Sequence, residues 1–150
     1  MTDPSPWSAF IPGKPRTKNR RRAFVIRGKA RVVAAKGQAE MVAGFQAVVC
    51  MHRPLAPFEG PVSLRFEFAF PVPKSWPRWK REAALAGAWR HVGVPDTSRL
   101  STFAEDCLSG IVFMDDRQVV RLEARKVYSR VPGTYVHVAR MPQARGPNGR

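Results

Sequence analysis

From Val62 to Phe70 apolar and polar residues alternate, with Val62, Leu64, Phe66, Phe68 and Phe70 set against Ser63, Arg65 and Glu67. Successive side chains of an extended chain point to opposite faces, so this run predicts a half-buried strand. A different period governs Gln38 to His52, where Met41, Val42, Phe45, Val48 and Val49 recur as one face of a helix. Leu100, Phe103, Ala104, Cys107 and Leu108 follow the same rule and predict a helix from Thr97 to Ser109, capped by Asp96 and ended by Gly110. Ser75 and Pro77 mark the start of another helix running to about Ala88, with Trp79, Ala83, Leu85 and Ala86 on a partly apolar face. Extended runs are also predicted at Trp7 to Pro12, Ile111 to Phe113 and Thr134 to Ala139. Ala23 to Ile26 and Arg31 to Val33 flank Arg27-Gly28-Lys29-Ala30 as a hairpin or a loosely ordered arm. Gln118 to Tyr128 alternates again, with Val120, Leu122 and Ala124 expected inward and Arg117, Arg121 and Arg125 outward.

Elements mixed in this order argue an α+β domain: a single mixed or antiparallel sheet with helices packed on one apolar face. A chain of 150 residues fits one such domain, here 1–140, with a basic N-terminal loop over 14–36 and a disordered basic tail over 141–150. The longest strongly apolar run, Met41 to Met51, is too short to cross a bilayer, and Met1 to Pro6 lacks the apolar stretch of a signal peptide. A cytoplasmic protein is expected. Cys50 and Cys107 match no zinc spacing and lie in apolar helical patterns, which predicts buried free thiols in a reducing compartment.

Charge changes the picture. Lys and Arg number 26 against 11 Asp and Glu, a formal +15, and such a field attracts a polyanion. Ten of those basic residues and no acid fall within the 23 positions from Lys14 to Lys36. Five of the eleven acids, however, gather between Asp96 and Asp116. Such an island repels DNA unless a cation neutralises it, and carboxylate oxygens suit Mg²⁺ or Mn²⁺, ions that clamp phosphoryl oxygens. Basic chain and acidic island together point to a metal-dependent nuclease. Asp96 precedes a helix, and Asp115-Asp116 follows the predicted run Ile111 to Phe113. Carboxylates at the ends of rigid elements can converge from distant positions on one metal. The blander alternatives are a plain N-cap for Asp96 and an ordinary turn for Asp115-Asp116.

Several segments, taken in order, resemble the RusA family of Holliday junction resolvases, common in prophages. They are Phe10-Ile11-Pro12-Gly13-Lys14-Pro15; Phe70-Pro71-Val72-Pro73-Lys74-Ser75-Trp76; His91 ahead of Pro95-Asp96; Asp106-Cys107-Leu108-Ser109-Gly110-Ile111-Val112-Phe113; Asp115-Asp116-Arg117-Gln118-Val119; and Lys126-Val127-Tyr128 before Pro132-Gly133. The resemblance implies a homodimeric, Mg²⁺-dependent endonuclease that nicks four-way DNA junctions symmetrically. It makes Asp96, Asp115 and Asp116 the expected catalytic acids, with Asp96, Asp116 and Asp106 as metal ligands. The family pattern is an Asp-x-Asp-Asn-Leu-x-x-Lys-like segment, and this chain departs from it three times. Ser98 stands for the second aspartate, Arg99 for the asparagine and Thr102 for the lysine.

Serine is a far weaker Mg²⁺ ligand than a carboxylate, Arg99 can pair with Asp96 in the cation's stead, and losing the lysine removes a stabiliser of developing charge. All three changes favour an alternative function: a protein that binds branched DNA without cutting it. Glu105 shares a helical face with Ser98 but two turns away, and is not expected to replace it. Expected DNA contacts are Lys14, Arg16, Lys18, Arg20, Arg21, Arg22, Lys74, Arg117 and Lys126, with Arg121 and Arg125 extending the basic face. Trp76, Trp79 and Trp89 suit stacking on unpaired bases, or a core or dimer contact. His91 is expected to make a loop hydrogen bond.

Overall fold

A computed structural model describes residues 5–17, 22–33 and 37–147; for 22–24, 26 and 30–33 it describes the backbone alone. Among the described residues six strands and three α-helices follow one another as β1 (Trp7–Pro12), β2 (Arg22–Ile26), β3 (Lys29–Val33), α1 (Gln38–Met51), β4 (Val62–Phe70), α2 (Arg78–Leu85), α3 (Thr97–Leu108), β5 (Val119–Tyr128) and β6 (Gly133–Arg140). Four strands form a mixed sheet in the order β1-β6-β4-β5, while β2 and β3 pair with each other as a separate antiparallel hairpin. The sheet is therefore accompanied by a hairpin that lies outside it. Arg27 and Gly28 turn that hairpin, both with positive φ.

β6 runs antiparallel to both β1 and β4, but β4 and β5 are parallel, with Phe66 opposite Ala124 and Phe70 opposite Tyr128. Alternation predicts which face a side chain takes, not which way its neighbour runs. The parallel pair has a consequence for everything downstream, because the chain must travel from the end of β4 back to the start of β5. α2 and α3 make that return.

The inward residues of β4 are the centre of the core: Val62, Leu64, Phe66, Phe68 and Phe70 are all buried. Leu100, Phe103, Ala104, Cys107 and Leu108 of α3 are buried as their spacing predicts. α1 contributes less, since only Val49 is buried, with Phe45 and Val48 packed against the core's edge. Cys107 is a buried free thiol; Cys50 is free but exposed, because the buried stripe of α1 is narrower than its apolar pattern. Helix α2 stops at Leu85, three residues short of the predicted end, where Gly87 adopts positive φ and the N–H groups of Ala88 and Trp89 both donate to the carbonyl of Ala83.

Ile111–Phe113 is not a strand. Phe113 makes isolated bridges to Phe58 and Ser109, and the segment turns instead of extending. Val120 and Leu122 remain 60% and 45% exposed, although Ala124 and Tyr128 of the same strand pack on the core. β5 is an edge strand, and a register shift against β4 pairs Val62 with Val119 but Ser63 with Arg121, which leaves Val120 as an extra, unpaired residue although Val119 itself packs on the core. Pro132-Gly133 leads directly into β6, whose first residue pairs with Pro12. Among the described residues no helix is long and apolar enough to cross a membrane.

Candidate active site

The crossover divides the acidic island between the two ends of α3. Asp96 stands at its start, on a loop held against the far end of β5: Lys126 Nζ donates to the carbonyls of Gly93 (2.7 Å) and Pro95 (3.1 Å). His91, on the same loop, packs its ring on Phe70 (centroids 4.3 Å apart) and Tyr128 (5.2 Å). Its Nδ1 is buried without a hydrogen bond, and stacking on the two rings helps to hold it in place. Burial lowers the His91 pKa, and the charges of Lys126 and Lys14 lower it further. Two ammonium groups thus act at the base of the loop that presents Asp96.

Asp96 occupies the N-cap position of α3, yet its carboxylate makes no capping hydrogen bond. Arg99, one turn on, lies with its Nε 3.5 Å from Asp96 Oδ2. Both side chains are about half exposed (49% and 59%), so the pair is worth at most about 1 kcal/mol, or roughly fivefold in any competition for the carboxylate. Thr102 donates its hydroxyl to the carbonyl of Ser98 (2.9 Å), and Ser101 does likewise to Thr97 (2.8 Å). The two altered positions 98 and 102 are therefore joined through the helix backbone.

Asp115 and Asp116 lie at the opposite end, in a tight turn before β5. The turn is a capping box: Asp115 accepts from the backbone N–H of Arg117 (2.8 Å), while Gln118 Oε1 accepts from the N–H groups of Met114 (2.9 Å) and Asp115 (3.0 Å). Gln118 Nε2 then donates to the carbonyls of Phe58 and Gly60, 2.9 Å each, which ties the turn to the loop before β4. Gln118 is a positioning residue that composition does not reveal; the spacing Asp-x-x-Gln is the signal that does. Arg117 also grips the Asp115 carboxylate through Nε (3.1 Å) and a terminal nitrogen (2.8 Å), holding its pKa well below the usual carboxylate range. Both oxygens of Asp115 are thus engaged, whereas Asp116 is exposed.

Glu105, half-buried on α3, has its pKa raised by burial first and then by the negative charges of Asp116 and Asp106. The structure therefore brings Asp116 into the field of Glu105 and Asp106, near the end of α3. Asp96 lies at the other end. Eleven residue steps of helix, from Thr97 to Leu108, span about 17 Å, and the seven steps of β5 from Val119 to Lys126 span about 23 Å. Among the described residues no group of three or more His, Cys, Asp or Glu is placed to hold a metal ion. The hard oxygen donors suit Mg²⁺, but Asp96 lies at the opposite end of α3 from Asp116.

Of the expected DNA contacts, Lys14, Arg16 and Lys74 are exposed. Lys18, Arg20 and Arg21 lie outside the described residues, as does the side chain of Arg22. The outward arginines do not form a bare basic stripe. Arg117 pairs with Asp115, Arg121 with Glu123 (2.7 Å) and Arg125 with Glu67, because acids on the same strand face or turn compensate each one.

A basic α+β chain whose carboxylates cluster at element ends has the make-up of a phosphodiester-directed protein. Residues 12–139 match the profile of the Endodeoxyribonuclease RusA family, and the chain belongs to that family. Among curated proteins it is similar to "Uncharacterized protein YqaN" of Bacillus subtilis (strain 168), at 30% identity over 128 residues, covering 84% of this chain and 90% of that protein. The family suggests an endodeoxyribonuclease that resolves Holliday junctions.

Proposed function

We propose that this protein is a structure-specific DNA endonuclease that nicks four-way junctions, working in the cytoplasm as a homodimer of phage or prophage origin. Mg²⁺, with Mn²⁺ as a substitute, is the cofactor this reading requires. Asp96, Asp116 and Asp106 are its proposed ligands, and Asp115 shapes the turn that presents Asp116. The observation that carries the dimer is the placement of Asp96 and Asp116 at opposite ends of α3. A two-fold arrangement can set Asp96 of one protomer against Asp116 of its partner, and so complete a site that one chain leaves open. Exposed Met114 next to the turn and exposed Val120 and Leu122 along the start of β5 support an interface there. Lys14 and Lys126 supply positive charge where a phosphodiester would approach Asp96.

A second reading is favoured by Ser98 and by the Arg99–Asp96 pair: the protein grips branched DNA and does not cut it. A nicking assay on a synthetic four-way junction with Mg²⁺ or Mn²⁺, beside a gel shift in EDTA, separates the two. Symmetric nicks that Asp116→Asn abolishes, beyond the roughly 100-fold loss typical of an outer-shell partner, support the nuclease. A tight shift with no nicks under either metal supports the binder. In that case Ser98→Asp combined with Thr102→Lys is expected to restore cleavage, and a variant that binds junctions yet stays inert removes the site assignment.

A further inference from the structure

Beside the Asp96 loop, α2 and its cap build an aromatic ridge to which the metal site gives no task. Trp76 meets Tyr128 edge-on (5.4 Å between centroids) and Trp89 likewise (6.4 Å), and Trp89 meets Trp79 at 5.9 Å with their planes 78° apart. Lys80 lies over two of these rings, 4.0 Å from the centre of Trp76 and 4.6 Å from that of Trp89. Trp79 is nevertheless 62% exposed and Trp89 41% exposed. In a T-shaped pair the edge of one ring covers only part of the other, so Trp79 keeps most of its π surface open, while Trp89, also met by Trp76 and Lys80, backs it. Burying indoles is among the largest gains a core can make, and leaving two of them in water marks a surface with an occupant.

The charge around the ridge selects that occupant. Lys74, Arg78, Lys80, Arg81 and Arg90 lie on α2 or its flanks, with Glu82 as the single acid between Pro71 and Pro95. Arg78 pairs with Glu82 (2.8 Å), which leaves an excess of positive charge around open rings. Aromatic faces set in a cationic surface suit a planar base on a phosphate backbone, and base-on-indole stacking needs no particular sequence. The ridge is also coupled to the site: Trp76 touches Tyr128, Tyr128 touches His91, and the 91–95 loop presents Asp96.

We infer that Trp79 and Trp89 form a stacking platform for an unpaired nucleobase at the branch point of the DNA, which seats the branch against the Asp96 loop. This rests on the proposed action on branched DNA and adds how a branch is told from a plain duplex. A continuous duplex keeps every base stacked between neighbours, whereas strand exchange at a branch point interrupts the stack and lets a terminal pair open onto the platform. Phosphate contacts would hold both alike.

The test uses the full chain with a four-way junction carrying 2-aminopurine at the branch, and a matched duplex. Wild type is expected to prefer the junction and to quench the branch-point fluorophore. Trp79→Ala should lose roughly tenfold in junction affinity, little in duplex affinity, and most of the quenching, while Trp79→Phe retains them. Trp79 is largely exposed, so folding should survive, and circular dichroism checks it. Wild type that binds junction no better than duplex overturns both the platform and the proposed function. Junction preference that persists unchanged in both Trp79→Ala and Trp89→Ala overturns the platform alone. A change of oligomeric state in Trp79→Ala by sedimentation, with quenching intact, assigns the ridge to a second copy of the chain and also overturns it.

Discussion

Lys126 concentrates two effects in one side chain. Its ammonium closes two hydrogen bonds to loop carbonyls, and its charge depresses the His91 pKa. Hydrogen bonds from a charged donor are worth about 1.5–3 kcal/mol each in favourable sites, and partial exposure reduces that. Lys126→Ala is expected to destabilise the fold by about 1–2 kcal/mol in denaturant titration, and to move the His91 pKa upward when its ring protons are followed by NMR. In the wild type the folded His91 binds its proton less readily than the unfolded chain does, so its contribution to stability is lost as pH falls through about 6.5. Glu105 has the opposite sign. Its raised pKa means the folded state holds the proton more tightly than the unfolded state, whose value is 4.5, so ionisation above that range costs stability. Glu105→Gln should raise the melting temperature at pH 7 and leave it nearly unchanged at pH 4. Equal shifts at both values would mean that neither burial nor the charges of Asp116 and Asp106 raise this carboxyl's pKa.

At the scale of elements, the turn before β5 depends on Gln118, which makes four hydrogen bonds through one amide. Removing it leaves two N–H donors and two carbonyls to find water, at a cost of about 2 kcal/mol. Gln118→Glu keeps the acceptor but turns a carboxylate toward the carbonyls of Phe58 and Gly60, so it should do no better than Gln118→Ala. Backbone hydrogen exchange at residues 114–118 is the measurement, and protection that survives either change would show the turn to be held by Arg117 instead. α3 was legible from its five apolar positions and β4 from its alternation, but the Gln118 device was passed over, although Asp-x-x-Gln is its signal. Ile111–Phe113 misled because a short buried apolar run fits a turn as well as a strand. Val120 misled because the register against β4 slips by one residue there, and Leu122 because alternation assigns a face but not the depth of its cover. The parallel pairing of β4 with β5 left no mark in either strand, and the separation of Asp96 from Asp116 follows from that pairing. The placing of the acids at element ends was therefore legible while their division between the ends of α3 was not.

For the whole molecule the divided acids and the exposed start of β5 pose one question: whether a second copy completes the site. If Asp96 of one protomer faces Asp116 of the other, Leu122→Glu should shift the protein toward monomer in sedimentation, since a charge would replace an apolar contact in the interface. Complementation is the sharper measurement. Asp96→Asn and Asp116→Asn homodimers would each have two damaged sites. A heterodimer of the two would instead concentrate both lesions in one site and leave the other with an intact Asp96 and an intact Asp116. Random exchange puts half of all dimers in that form, so the mixture should recover roughly a quarter of wild-type sites and yield single nicks, not paired ones. Each protein alone should remain inactive. If the acids act within one chain, every protomer in the mixture is still damaged and mixing recovers nothing. Should the natural sequence bind without cutting, the same exchange can be run in the Ser98→Asp, Thr102→Lys background, where the position of the intact pair is again what decides the result.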